Sequence, residues 1–211
     1  MMVAFAPTFA QGSSIKPAAI IEKISIGSTS LQVMDFVFTG DTIELGDGEI
    51  LSLSYLRSCI VEEFVGAVVV IVGETKSAFL GGDLSGQSKV DCDGGGIVPT
   101  SGQSEDAAAV VFRVPDAKSE KPPVVVYSTE PVFVLQEPTE ELVVRRQDAG
   151  SDEEYRFPVN GRRLDLAEHG VHLAAGGNYL VRSKGGAEAA FRISPNATSS
   201  NISLISRLVG F

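Results

Sequence analysis

The chain has 211 residues, of which 44% are apolar and 21% charged, and its formal net charge at pH 7 is −10. This composition excludes a disordered chain, and the length suffices for one large or two small domains with buried cores. The acidic balance disfavours nucleic acids and anionic membrane surfaces, whose recognition needs clustered cations, and no apolar run approaches the ~20 residues of a membrane-spanning helix.

The N-terminal ten residues, MMVAFAPTFA, are apolar and carry no charged side chain. Thr8-Phe9-Ala10 before Gln11 fits the small-x-small pattern at which a signal peptide is cleaved. We therefore expect residues 1–19 to be the remnant of an export signal followed by a polar lead-in. The alternative is an ordinary chain start with a few apolar residues.

The next segment, residues 20–115, is predicted to be an antiparallel β domain. Leu51, Leu53 and Tyr55 alternate with serines, as in a strand with one buried face, and Asp47-Gly48 indicates a hairpin turn. Gly- and Ser-rich residues 93–106 are expected to form a loop. The predicted strands are Leu31–Phe36, Thr42–Leu45, Ile50–Leu56, Cys59–Glu63, Ala67–Gly73, Ser77–Leu80 and Ala107–Val114.

A second β domain is predicted over residues 124–211, after a linker at residues 116–123 that contains two consecutive prolines. Strand-like runs recur about every ten residues, a spacing typical of an immunoglobulin-like β-sandwich. The predicted strands are Val124–Ser128, Val132–Gln136, Glu141–Arg146, Tyr155–Val159, Asn178–Arg182 and Ala187–Ile193. Tyr179 follows a Gly-Gly turn and resembles the tyrosine corner of such folds, whose hydroxyl bonds to the upstream backbone. Lys184-Gly185-Gly186 is expected to form the final hairpin, with Phe191 and Ile193 facing inward. A generic antiparallel sheet remains the alternative.

The chain has two cysteines, Cys59 and Cys92, and neither belongs to a CxxC pair. Their number is too small for a cysteine-based zinc site, and both histidines lie in the other half of the sequence. In an exported protein the pair predicts one disulfide within the first domain. Two buried free thiols are the alternative in a cytosolic protein.

One segment of the first domain resembles a known family. Gly40-Asp41-x-Ile43, the Gly-Asp-Gly-Glu turn at residues 46–49 and the LSLSYL strand together resemble the extracytoplasmic β domain of FecR-like proteins, over about residues 20–114. The resemblance implies a module of the bacterial cell envelope. The membrane-spanning anti-sigma part of that family is absent from this sequence, so iron-uptake signalling is not implied. The second half resembles the Ig-like modules of bacterial surface proteins.

Candidate sites for chemistry are few. His169 and His172, near Asp165 and Glu168, would offer two imidazoles and a carboxylate to a metal, but solvated loop histidines are expected. Asp91-x-Asp93-Gly94 resembles the start of a calcium loop without its later ligands, so a flexible turn is expected instead. We assign no catalytic, cofactor or metal residue.

The sequence therefore predicts an all-β, non-enzymatic, periplasmic or secreted protein of two modules. It would act by protein binding or structural support in the cell envelope, with partner contacts on exposed strand edges or loops. A sensor or carbohydrate-binding domain is the first alternative, although the chain has no Trp and only four Tyr. The second is an unrecognised hydrolase using acidic pairs such as Asp41 and Glu49.

Overall fold

The protein is all-β, as predicted. A computed structural model describes residues 17–27, 30–93, 123–148, 150, 152–199 and 202–211. Its strands are β1 (Pro17–Ser25), β2 (Phe36–Phe38), β3 (Thr42–Leu45), β4 (Ile50–Tyr55), β5 (Ile60–Val65), β6 (Val68–Ile71), β7 (Ala78–Leu80), β8 (Asp83–Lys89), β9 (Val124–Ser128), β10 (Val132–Arg146), β11 (Glu154–Asp165), β12 (Asn178–Ser183), β13 (Glu188–Thr198) and β14 (Leu208–Gly210).

Helical structure is confined to short turns in these ranges. The two 3-10 helices span Leu166–His169 and Leu204–Ser206. Within the described ranges, no helix is long and apolar enough to cross a membrane.

The first unit consists of two antiparallel sheets that share one core. The larger sheet has the order β2-β1-β4-β5-β8, and the smaller one has the order β3-β6-β7. Leu51, Leu53 and Phe64 of the larger sheet are fully buried with Val68 and Val70 of the smaller. In β4, Leu51 and Leu53 alternate with serines, so the large apolar side chains of that strand share the face that turns toward this core.

Two local predictions in this unit are wrong. Asp47-Gly48 does form a turn, with Gly48 at φ +76°, but β3 pairs with β6 whereas β4 pairs with β1 and β5. The turn therefore crosses between sheets and is not a hairpin. The strand expected over Leu31–Phe36 occupies Phe36–Phe38 instead. A further strand, β1, lies at Pro17–Ser25, where no strand was predicted. The predicted strand Ala107–Val114 and linker residues 116–122 lie outside the described residues.

The second unit is a six-strand sheet in the order β11-β10-β12-β13-β9, with β14 added beside β10. β10 has different neighbours at its two ends, because Val132–Val134 pair with β14 and Leu142–Arg146 pair with β12. The two strands predicted at residues 132–136 and 141–146 are thus one strand with an irregular middle. Pro138 lies in that middle, where it lacks the N–H needed for a regular ladder.

The expected details around Tyr179 are present. Its buried hydroxyl accepts a hydrogen bond from the Ala174 N–H at 2.8 Å, and its ring stacks on Phe191. β12 and β13 pair as the final hairpin through the turn that contains Gly186 at φ +93°. Phe191 and Ile193 are fully buried, as expected.

The two units meet through a shared apolar junction. Ile20, Phe36 and Leu56 of the first unit pack in one buried cluster with Val132, Val134, Leu204, Ile205 and Leu208 of the second. Beside the cluster, the Arg163 guanidinium pairs with the Asp35 carboxylate at 3.0 Å. The described parts of the two units are therefore joined by buried surface.

Candidate functional site

The most distinctive surface of the molecule is the outer edge of the smaller sheet. Among the strands that the structure describes, β7 is the last one of that sheet, and Ala78, Phe79 and Leu80 are all exposed. Leu80 is 66% exposed and Phe79 40%. By register, Leu80 lies opposite Val69 and Ala78 lies opposite Ile71, and both β6 partners are only partly buried. We call Val69, Ile71, Ala78, Phe79 and Leu80 the β7 surface.

The other edge strands of the first unit, among the described residues, are polar, irregular in register or packed against the second unit. β8 shows mostly polar side chains and has a register shift against β5, both of which discourage pairing with another chain. β3 exposes Thr42 and Glu44, and β2 contributes Phe36 to the buried junction. β7 instead combines an edge backbone with exposed apolar side chains, which is the combination that recruits a partner strand.

The loop that leads into β7 is held by buried polar groups. The Ser77 N–H donates to Glu62 Oε2 at 2.9 Å, and Ser77 Oγ is 2.6 Å from the Tyr55 hydroxyl. Two residues before Ser77, the Thr75 carbonyl accepts an exposed hydrogen bond from the Ser58 hydroxyl at 2.6 Å. These contacts fix the residues directly before Ala78.

Glu62 is the buried anchor of this group, with an exposed fraction of only 2%. Its second oxygen, Oε1, accepts a hydrogen bond from Gln87 Nε2 at 3.0 Å, so both oxygens are used in holding neighbouring strands and loops. Burial, followed by the charge of Glu62, raises the pKa of Tyr55 to about 12. The Tyr55 hydroxyl therefore stays protonated at neutral pH and takes part in hydrogen bonding with Ser77.

At its other end, β7 is followed by two glycines, and Gly82 packs closely against Ala67 and Val68 at the start of β6. Gly81 and Gly82 have φ of +69° and +55°, a region that side chains disfavour. A Cβ at Gly82 would also lie 2.7 Å from the Val68 Cβ. The Phe79 ring packs edge-to-face on the buried Phe64 ring at a centroid distance of 5.6 Å. The β7 surface is thus anchored at both ends before any partner arrives.

The two histidines make separate contacts. The His169 ring packs against the Phe157 ring at 5.4 Å, whereas His172 Nδ1 lies 3.2 Å from Glu130 Oε1 and the His172 side chain is half exposed. In the part of the chain that the structure describes, no group of three or more His, Cys, Asp or Glu residues is arranged to hold a metal ion.

Asp91 and Asp93 hold the two units together. The Asp91 carbonyl accepts a hydrogen bond from the Ser206 hydroxyl at 2.5 Å, and Asp93 Oδ2 accepts one from the Val125 N–H at 2.9 Å. Both acceptors belong to the first unit and both donors to the second.

Asp41 and Glu49 serve their own turns. Asp41 Oδ2 accepts a hydrogen bond from the Phe38 N–H at 2.8 Å. The two Glu49 oxygens accept from the N–H groups of Gly46 and Gly27, and these bonds lower the pKa of the Glu49 carboxyl, with Gly46 the larger cause. Each carboxylate therefore has a local structural role.

A cleft of about 320 Å³ lies beside the junction of the two units. Two of its charged groups are already paired, since Arg163 binds Asp35 and the Val33 carbonyl, and Asp165 binds Arg207. The cleft is lined by Met34, Pro158, Val159, Asn160, Arg163, Leu164, Asp165, Glu168 and His169.

Cys59 and Cys92 form a disulfide with a Cα–Cα distance of 5.8 Å. Cys59 lies just before β5, and Cys92 packs against the apolar junction. The bond therefore ties the larger sheet to the segment that contacts the second unit.

No family model, no curated protein sequence and no solved structure matches this chain.

Proposed function

We propose that this is a non-enzymatic, exported protein of the bacterial cell envelope, periplasmic or secreted, which acts by binding another protein at the β7 surface. The observation that carries the proposal is an edge strand whose apolar side chains are exposed while both of its ends are anchored. Anchoring removes part of the ordering cost that a flexible binding segment would have to overcome. The FecR-like and Ig-like resemblances are consistent with this role.

The disulfide supports export. Disulfides persist in oxidising compartments such as the periplasm and are rare in the cytosol. The combination of a Cys59–Cys92 bond with the signal-like residues 1–10 therefore favours the envelope.

Compartment and thiol state are tested together in the native host. The protein is recovered from periplasmic, secreted and cytosolic fractions and alkylated with and without prior reduction. Its intact mass is then measured by mass spectrometry. Export predicts a mass that lacks about the first ten residues, as for a cleaved signal, and thiols that react only after reduction. A full-length cytosolic chain with two free thiols contradicts the envelope location.

Binding is tested by site-specific photo-crosslinking in the same host. A photoreactive phenylalanine is placed at position 80, and at position 33 as the matched control, because Val33 is also an exposed apolar residue, 44% accessible, outside the β7 surface. The proposal expects a discrete adduct at position 80 and none at position 33. Equal labelling at both positions, or no adduct at position 80, contradicts binding at this edge.

A further inference from the structure

We propose that the partner contributes an extended segment with alternating apolar side chains and a basic flank, which adds to β7 as a new strand. This inference rests on the proposed function and specifies its partner. A helix or a flat surface would leave the edge N–H and C=O groups of β7 without backbone partners, whereas a strand supplies them.

Side chains must provide much of the affinity. β7 has only three residues, so it offers few backbone hydrogen bonds to a new strand. Leu80 and the partly buried Val69 stand on one side of the sheet, where alternate side chains of an added strand would lie. A partner with Val or Ile at every second position matches this pattern.

Charge selects a basic partner over a second copy of this chain. Described residues 17–93 contain 4 Lys and Arg against 12 Asp and Glu. Asp83 follows β7 after the Gly81-Gly82 turn, and Glu44 lies two strands away on β3, the opposite edge of the same sheet; both carboxylates are exposed. A second copy would bring the same acidic unit, so like charges would oppose its approach, whereas lysines or arginines would be attracted.

The position of the charges also predicts which flank of the added strand should carry the basic residues. Lys76 precedes β7, and Asp83 follows it, so the acidic end of the edge is its C-terminal end. In an antiparallel arrangement the N-terminal flank of the partner lies next to that end. Basic residues on the N-terminal flank should therefore bind better than the same residues on the C-terminal flank.

The experiment titrates the oxidised, ¹⁵N-labelled full chain with synthetic peptides. The first probe is acetyl-Lys-Lys-Val-Thr-Val-Thr-Ser-amide; the others carry Glu-Glu in place of Lys-Lys, the Lys pair at the C-terminal end, or N-methyl groups along one edge. We expect amide shifts at residues 78–83 with the first probe and about tenfold weaker binding of the Glu peptide at low salt, a difference that shrinks with added salt. The N-methylated peptide should not bind, and the C-terminal Lys peptide should bind more weakly than the first.

Two variants locate the contact. Leu80→Thr keeps a strand-forming residue but removes apolar surface, and should weaken the first peptide about fivefold or more. Val33→Thr makes a similar exchange at the exposed control position and should leave binding unchanged. Equal binding of the Lys and Glu peptides, retained binding of the N-methylated peptide, or an equal effect of both variants overturns the inference.

Two further outcomes would assign the edge to another occupant and also overturn the inference. One is a dimer in sedimentation velocity that the Leu80→Thr exchange abolishes, which identifies a second copy. The other is hydrogen-exchange protection of the β7 amides in the free chain that is lost when residues 100–118 are deleted, which identifies the chain's own segment. A cytosolic chain with free thiols would refute the proposed location alone, because the peptide results do not depend on compartment.

Discussion

Replacing both cysteines by serine should lower the free energy of unfolding by about 3.5 to 4 kcal/mol. The disulfide closes a loop with a sequence separation of 33 residues. On the chain-entropy relation, a loop of that size removes about 12.5 cal/mol/K from the unfolded ensemble, which at 25 °C corresponds to about 3.7 kcal/mol. Small proteins are stable by only about 5 to 15 kcal/mol, so this loss should be plainly measurable.

The assay is urea unfolding followed by circular dichroism, since the chain has no Trp to serve as a fluorescence probe. The oxidised protein, the same protein in reductant and the double serine variant are compared at one pH. Reduced protein and variant should agree with each other and share the lower midpoint. A loss below about 1 kcal/mol would refute the reasoning, because it would mean that the unfolded chain gains little freedom when the loop opens.

The same variant tests the link between the disulfide and the second unit. Asp93, one residue after Cys92, accepts the hydrogen bond from the Val125 N–H. Without the bond to Cys59, the segment that carries Asp93 should open more often, and the Val125 amide should exchange faster than amides in the middle of β12. Uniform acceleration of both sets of amides would indicate global unfolding alone.

Three further predictions concern single positions. Gly82→Ala should destabilise the chain by about 1 to 3 kcal/mol, because its Cβ would meet the Val68 Cβ at a positive φ, and urea unfolding should show this loss; an unchanged midpoint would contradict the close approach. Tyr179→Phe should cost about 1 to 3 kcal/mol by leaving the Ala174 N–H without its acceptor, and the Ala174 amide should then exchange faster; unaltered exchange would show that the bond is unimportant. The pKa of the Glu49 carboxyl is lowered in the folded protein, so its carboxylate stabilises the fold above the unfolded-state pKa, and this contribution is lost as the pH falls through the folded-state pKa. In Glu49→Gln, the urea midpoint should therefore fall less between neutral pH and pH ~3 than it does in the unaltered protein. Identical pH dependence of the two midpoints would count against this role of Glu49.

Periodicity located strands in which apolar and polar residues alternate, including β4, whose Ser52 and Ser54 proved to be buried as well. β9 was expected at Val124–Ser128 and lies there, and β3 and β4 were placed to within one residue. β1 was missed because Pro17–Ile21 are buried without interruption. Ala19 and Ile21 pack into the core of the first unit, while Ile20 packs into the junction. Both faces of this part of β1 are therefore apolar, and its sequence does not alternate between apolar and polar residues. The second unit, which creates one of those faces, cannot be seen from a local window of sequence.

Only part of the β7 surface could be predicted from the sequence. A strand near Ser77–Leu80 was predicted, but its position at the end of a sheet depends on which strands pair, and a turn such as Asp47-Gly48 fixes only a local reversal. The position of Glu62 could have been recognised from the sequence, because it lies two residues from Phe64 and so shares the inward-facing side of β5. A carboxylate on the core side of a strand indicates a buried polar cluster, although its partners Ser77 and Gln87 are far away in sequence.

The Asp93–Val125 hydrogen bond is one of the non-covalent contacts that hold the two units together in addition to the covalent chain between them. It places the last described residues of the first unit beside the first strand of the second, on either side of residues 94–122. Further cohesion is supplied by the apolar junction, the Arg163–Asp35 pair and the hydrogen bond from the Ser206 hydroxyl to the Asp91 carbonyl. Cleavage at a protease site introduced between residues 94 and 122 should accordingly yield two fragments that remain associated as a non-covalent complex. Fragments expressed separately should then be able to reconstitute the protein by complementation.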